Sequence, residues 1–160
     1  MEVAMKLYLV QHGEAQPKDL DPDRPLTEAG RAATEKTAGF SVRQARVSVD
    51  TIFHSGKSRA EQTAEILGKY LLPAGGVHSA KDLSPNDDPN LWAMRLTEIH
   101  KDVMMVGHLP HLSRLAAILL GREADSGVVA FTNSGIVCLE KDHSSHWRLN
   151  WAVIPDILLA

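Results

Sequence analysis

The chain has 160 residues, 44% apolar and 23% charged, with a formal net charge of -3 and a single cysteine, Cys138. That length fits one domain with a real core, and the acidic balance argues against general binding of nucleic acid or anionic membranes, both of which select basic surfaces. One cysteine excludes an internal disulfide framework and suits a reducing cytosol.

The opening stretch MEVAMKLYLV lacks the positive start and long apolar run of a secretion signal. No segment approaches eighteen consecutive apolar residues. The expectation is a cytoplasmic protein without membrane or nucleic-acid partners.

Residues 6–10 read as a strand that stops abruptly at Gln11-His12-Gly13. After a polar loop, residues 27–40 have helical spacing, with Ala29, Ala33 and Phe40 roughly on one face. Residues 47–53 read as a second strand. A helix over 58–72 follows, with Ala60, Ala64, Leu67 and Leu71 on one stripe. A loop rich in Gly, Pro, Asn and Asp covers 73–89, with a short strand near Val77. Asn90 is placed to cap a helix over 91–100, its inner face read as Leu91, Met94 and Ile99.

Residues 102–107 carry the continuous apolar run of a strand buried on both faces. Pro110 suits the first position of a helix ending at Leu120 and closed by Gly121. Runs at 135–140 and 147–154 are set to pair as a hairpin. This alternation predicts an α/β fold in one domain spanning residues 1–160, a mainly parallel central sheet flanked by helices. Ligands of such sheets sit beyond the carboxyl ends of the strands. Gln11-His12-Gly13, residues 54–59 and Gly107-His108 all fall there.

Each of these segments also has a plain reading. His12 and His108 can be hydrogen-bonded turn residues. Arg59, with Lys57, opens a helix whose free N–H groups suit an anion, with Ser55 or Ser58 as cap. Equally, Arg59 can pair with Glu61 or Glu65 on a solvated face. Gly56-Lys57-Ser58 imitates a nucleotide-binding loop, but Thr51 stands where that loop needs glycine. Asp19, Asp21 and Asp23 imitate a calcium loop that Arg24 and Gly30 break at its sixth and twelfth places. The pairs His108/His111 and His143/His146 have ligand-like spacing without a completing carboxylate, so no metal is expected.

Taken together, LYLVQHGEA, DRPLTEAG, SGKSRAEQTAEIL and VMMVGHLPHLSRLA resemble the histidine phosphatase superfamily, the phosphoglycerate mutase-like proteins. They are most similar to its short SixA-type phosphohistidine phosphatases. The resemblance spans residues 7–116 and implies a three-layer sandwich with a phosphate pocket at the carboxyl ends of the sheet. It assigns His12 as the nucleophile, Arg59 as a pocket arginine and His108 as the second histidine. The family's first arginine is replaced by Gln11, an uncharged donor without a guanidinium fork. Arg24, Lys57 and His108 in its cationic form are candidates to restore charge, and Gly13 to allow close backbone approach. The family's general acid has no clear counterpart here; Glu14, Asp87 and Asp88 are the candidates. No cofactor is implied. The implied substrate is a phosphohistidine-bearing protein, with a small phosphorylated metabolite, or phosphate binding without turnover, as alternatives.

Overall fold

The computed structural model describes residues 2–159. Its six strands are β1 (Val3–Gln11), β2 (Thr51–His54), β3 (Val77–Ser79), β4 (Val103–Gly107), β5 (Ile136–Asp142) and β6 (Trp147–Val153). They form one sheet in the order β3-β2-β4-β1-β5-β6. The β1–β4, β2–β4 and β2–β3 pairings are parallel, whereas β5 runs antiparallel to both β1 and β6. The sheet is mainly parallel, as its apolar runs predict, and the last two strands form the expected hairpin.

Four helices cover it: α1 (Glu28–Arg43), α2 (Ser58–Leu71), α3 (Pro89–Glu98) and α4 (His111–Leu119). Side-chain alternation along β1 divides the core in two. Tyr8 and Val10 pack with Ile52, Met104 and Val106 of the sheet and Ala38, Ala60, Ala64 and Leu67 of α1 and α2. Met5, Leu7 and Leu9 face the other way, onto Trp92, Leu96, Leu112 and Leu115 of α3 and α4. Among the described residues no helix is long and apolar enough to cross a membrane.

Several local readings are corrected. The inner face of α1 is Gly30, Thr34, Thr37, Ala38, Gly39 and Ser41, and of the Ala29–Ala33–Phe40 stripe only Phe40 packs against the core. Its small and hydroxyl-bearing residues let the helix lie close to its neighbours, and their hydroxyls turn back onto helix carbonyls, as Thr34 does to Gly30 at 2.8 Å. The inner face of α3 is Trp92 and Leu96, while Leu91 and Met94 are exposed. Trp92 alone reaches both Phe53 and a carbonyl, Lys81 O at 2.9 Å. Asp88, not Asn90, caps this helix, its carboxylate accepting from Asn90 N at 2.9 Å. The second strand is shorter than its apolar run: residues 47–50 approach it as coil. Pro110 stands just before α4 rather than in it.

Gly30 explains how α1 reaches the loop that follows β1. A Cβ at this position would lie 2.2 Å from Glu14 O and 2.9 Å from Glu14 N. Backbone cannot yield as a flexible side chain can, so Gly30→Ala forces the two segments apart. The expected loss is about 1–3 kcal/mol of stability, as for other overpacked positions. Urea denaturation monitored by circular dichroism measures it; an unchanged midpoint would show that the contact is not tight.

The fold also creates a crevice. β1 and β4 are neighbours, yet the helix leaving β1 lies on one face of the sheet and the helix leaving β4 on the other. Chains diverging this way open a cleft at the carboxyl ends of the two strands. His12 and His108 are the first residues beyond those ends.

Candidate active site

Register brings the two histidines together. Gln11 pairs with Gly107 across β1 and β4, and His12 N donates to Gly107 O at 3.1 Å. The imidazoles of His12 and His108 stand 5.0 Å apart between centroids, tilted by 49°.

The tautomer of His12 follows from one contact. Its Nδ1 lies 2.7 Å from Gly13 O, and a carbonyl oxygen can only accept. The proton therefore sits on Nδ1, leaving the Nε2 lone pair free. Burial lowers the proton affinity of His12; the bond to Gly13 O opposes this, and the charges of Arg59 and Arg24 add to it. The ring is held neutral, the form in which an imidazole is a nucleophile.

Gly13 is buried because its surroundings are built onto it. Its N–H donates to Thr63 Oγ1 at 2.9 Å, and that hydroxyl donates to Arg59 O at 2.7 Å, one turn back in α2. A Cβ at Gly13 would meet Ser134 Oγ and Thr34 Oγ1 at 3.0 Å and Gly30 O at 3.1 Å. The nucleophile loop and the start of α2 are thus tied through one threonine.

Arg59 lies in the first turn of α2, half-buried, with Nε buried and unpartnered. Among the described residues it forms no salt bridge with Glu61, Glu65 or any other carboxylate. Neither Ser55 nor Ser58 caps this helix: Lys57 occupies the cap position without a side-chain bond. Lys57 is exposed, and Arg24, in the left-handed region at φ 49°, donates from Nε to Gln16 O at 3.1 Å. Arg24 is near enough for its charge to act on both His12 and Arg59.

His108 is 1% exposed. Burial first, then its neighbours His12, Arg59, Lys57 and His111, pushes its pKa down to about 3, so it too is neutral at pH 7 and does not restore the charge missing at Gln11. Its Nδ1 is buried and unpartnered, as is Gln11 Oε1. Buried polar groups without partners are uncommon and call for an explanation. Arg59 Nε and a protonated His108 Nδ1 are donors, so an anion with several oxygens would satisfy both.

The segment at 128–135 carried no functional reading, yet it buttresses the nucleophile. Asn133 Nδ2 donates to His12 O at 2.8 Å, Ser134 N to Gln11 O at 2.9 Å, and the hydroxyls of Ser134 and Thr34 meet at 2.8 Å. Because β5 runs antiparallel, its entry lies at the same sheet edge as the exit of β1. In sequence Asn133 and Ser134 do no more than precede the strand read at 135–140.

The three candidate carboxylates are engaged elsewhere. Glu14 Oε1 accepts from Thr27 Oγ1 at 2.8 Å, Asp87 Oδ2 from Ser84 N at 2.9 Å, and Asp88 caps α3. Among the described residues no three His, Cys, Asp or Glu side chains gather as a metal site. His143 and His146 lie on the surface, 3.8 Å from Glu2 and 3.4 Å from Asp142.

A profile of the histidine phosphatase superfamily (branch 1) matches residues 7–83, a span containing Gln11, His12, Arg24 and Arg59. The phosphohistidine phosphatase SixA of Escherichia coli strain K12 is 28% identical over 156 residues, covering 94% of both chains. The chain is thus similar to the histidine phosphatase superfamily in sequence over residues 7–83 and to SixA over nearly its whole length. A solved structure of the protein histidine phosphatase SixA complexed with tungstate superposes with a TM-score of 0.83 at 28% identity, over 95% of this chain and 98% of that one. The α-ribazole phosphatase of Shigella flexneri shares the fold at a TM-score of 0.76 and 19% identity, over 94% and 96%. Within the superfamily fold, the crevice between β1 and β4 is where this chain gathers two neutral imidazoles, a free arginine and further cations.

Proposed function

We propose that this chain is a histidine phosphatase that removes the phosphoryl group from phosphohistidine in a protein, through a phosphohistidine formed on its own His12. The carrying observation is the His12 tautomer: Nδ1–H is bound by Gly13 O, so Nε2 offers its lone pair. Nε2 attacks phosphorus, the P–N bond of the substrate breaks with its electron pair going to nitrogen, and the substrate ring, already protonated on its other nitrogen, leaves as neutral imidazole. Water then attacks the phosphoenzyme, giving inorganic phosphate and free His12. Arg59 and His108 hold the equatorial oxygens, with Gln11, Arg24, Lys57 and the Gly13 backbone around them. Such transfer depends on in-line placement and on donors preset around the phosphoryl oxygens.

The substrate class is supported from two sides. SixA, the curated relative, is named a phosphohistidine phosphatase. Glu14, Asp87 and Asp88 are all occupied in hydrogen bonds of the fold. An imidazole leaves readily once protonated and needs no strong carboxylic acid, whereas an alkoxide does. A cytoplasmic location belongs to the same proposal; the lone buried thiol of Cys138 is compatible with it.

The test is turnover of a phosphohistidine protein beside a panel of phosphorylated metabolites and a generic aryl phosphate. Preference for phosphohistidine is expected. Faster turnover of one metabolite would overturn the substrate, and binding without any turnover would select a phosphoprotein binder, the reading that Gln11 favours.

Gln11 supplies a further expectation. Arginine at this place adds a charge-assisted, bidentate-capable contact to the phosphoryl group. Gln11→Arg should raise the single-turnover rate by about tenfold, ~1.4 kcal/mol in barrier. Gln11→Ala should lower it by less, because a neutral amide contributes about 1 kcal/mol. An unchanged or lower rate for the arginine variant, with circular dichroism intact, would place Gln11 outside the transition-state contacts.

A further inference from the structure

Ser55 is the first residue after β2, half-buried, and the cap role open to it in sequence is unused. Its hydroxyl instead lies 2.6 Å from His108 Nε2. The same oxygen accepts from Lys57 N at 3.3 Å, so a lone pair is already taken on the side of the chain. The hydroxyl hydrogen is then free to point at the imidazole. A serine can donate or accept, and a neutral imidazole carries one proton, so two arrangements satisfy this contact. They differ at the far nitrogen. With the proton on Nε2, Nδ1 would present a buried lone pair, which attracts cations but repels the oxygens of an anion. With Ser55 donating to Nε2, the proton is on Nδ1 and the buried, unpartnered atom is a donor.

Only the second arrangement equips His108 for an anion. We propose that Ser55 is a positioning residue which donates to His108 Nε2 and so holds His108 as its Nδ1–H tautomer, a neutral donor for the transferring phosphoryl group. This rests on the reading of the site as a phosphoryl pocket and adds the residue that sets its second histidine. The two rings then carry the same tautomer for opposite ends. On His12 a carbonyl takes the Nδ1 proton so that Nε2 can attack; on His108 a hydroxyl takes up Nε2 so that Nδ1 can donate. Neither ring needs to be charged, in keeping with a site already holding Arg59, Arg24 and Lys57. A hydroxyl can donate to the imidazole and accept from Lys57 N at once, which a backbone N–H cannot.

The experiment joins nitrogen NMR of 15N-histidine-labelled protein with kinetics of Ser55→Ala and Ser55→Thr. In the parent protein His108 should show a protonated Nδ1 and an unprotonated, hydrogen-bonded Nε2 at pH 7. This measurement needs neither a variant nor turnover, so it stands apart from the identity of the substrate. Ser55→Ala should shift the tautomer toward Nε2–H and lower kcat by about tenfold or more with KM changed less than about threefold. Ser55→Thr, which keeps the hydroxyl, should restore both. A parent His108 protonated on Nε2, or a folded Ser55→Ala variant with unchanged kcat, would overturn the proposal. A correct tautomer in a protein that turns over no phosphorylated substrate would instead overturn the catalytic reading and leave the Ser55 contact standing.

Discussion

Replacing His12 with alanine is expected to lower turnover by at least about 10³-fold, ~4 kcal/mol of barrier, while the protein stays folded. The side chain supplies the only lone pair in the reading above that attacks phosphorus, so its loss removes the covalent route rather than weakening it. Folding should survive because the bonds that fix residue 12 belong to its backbone. His12 N donates to Gly107 O, and His12 O accepts from Asn133, and both remain with alanine. The imidazole itself is half-buried at a strand end, and its bond to Gly13 O is local. Steady-state turnover and circular dichroism together decide the matter. Residual activity within tenfold of the parent, about 1.4 kcal/mol, would sink the nucleophile assignment.

Loss of Arg59 should be the next largest effect, on the order of 10²-fold or more in kcat. Among the described residues its guanidinium pairs with no carboxylate and its Nε has no partner, so little in the fold depends on it. Arg59→Ala is therefore a clean removal of charge, expected to weaken vanadate binding along with turnover. His108→Ala should match it in rate but also open a cavity, because that ring is 1% exposed. Arg59→Lys should recover only part of the loss, since an ammonium cannot reproduce the planar fork. A folded Arg59→Ala variant with kcat and vanadate affinity near those of the parent would place Arg59 outside the pocket.

The sequence carried the strands and the general plan well. Continuous apolar runs such as Val103-Met104-Met105-Val106 can only be satisfied when both faces are covered, which is the condition of a central strand in a layered α/β sheet. Helix faces were less legible. In α1 the inward residues are Gly30, Thr34, Thr37 and Ser41, chosen for close approach and backbone bonding rather than apolarity. A hydrophobic period cannot register them. In α3 the exposed Leu91 and Met94 equal the inner Trp92 and Leu96 in number, so a count of apolar residues cannot choose the face.

For the site, chemistry-bearing residues at strand ends were visible in sequence: Gln11-His12-Gly13, Arg59 and His108 stand where such folds keep their ligands. Their protonation states and supports were not. The Nδ1 proton of His12 depends on the direction of one carbonyl, and the loss of charge on His108 on its burial beside His12 and Arg59. Thr63, Ser55, Asn133 and Ser134 are 50–123 positions from the residues they hold, and only the sheet order joins them. Local sequence sets which groups a strand end presents, because side-chain alternation and turn chemistry are short-range. Tautomer, charge and hydrogen-bond partner are set by what burial brings alongside, and that is decided only when β4 and β5 close on either side of β1.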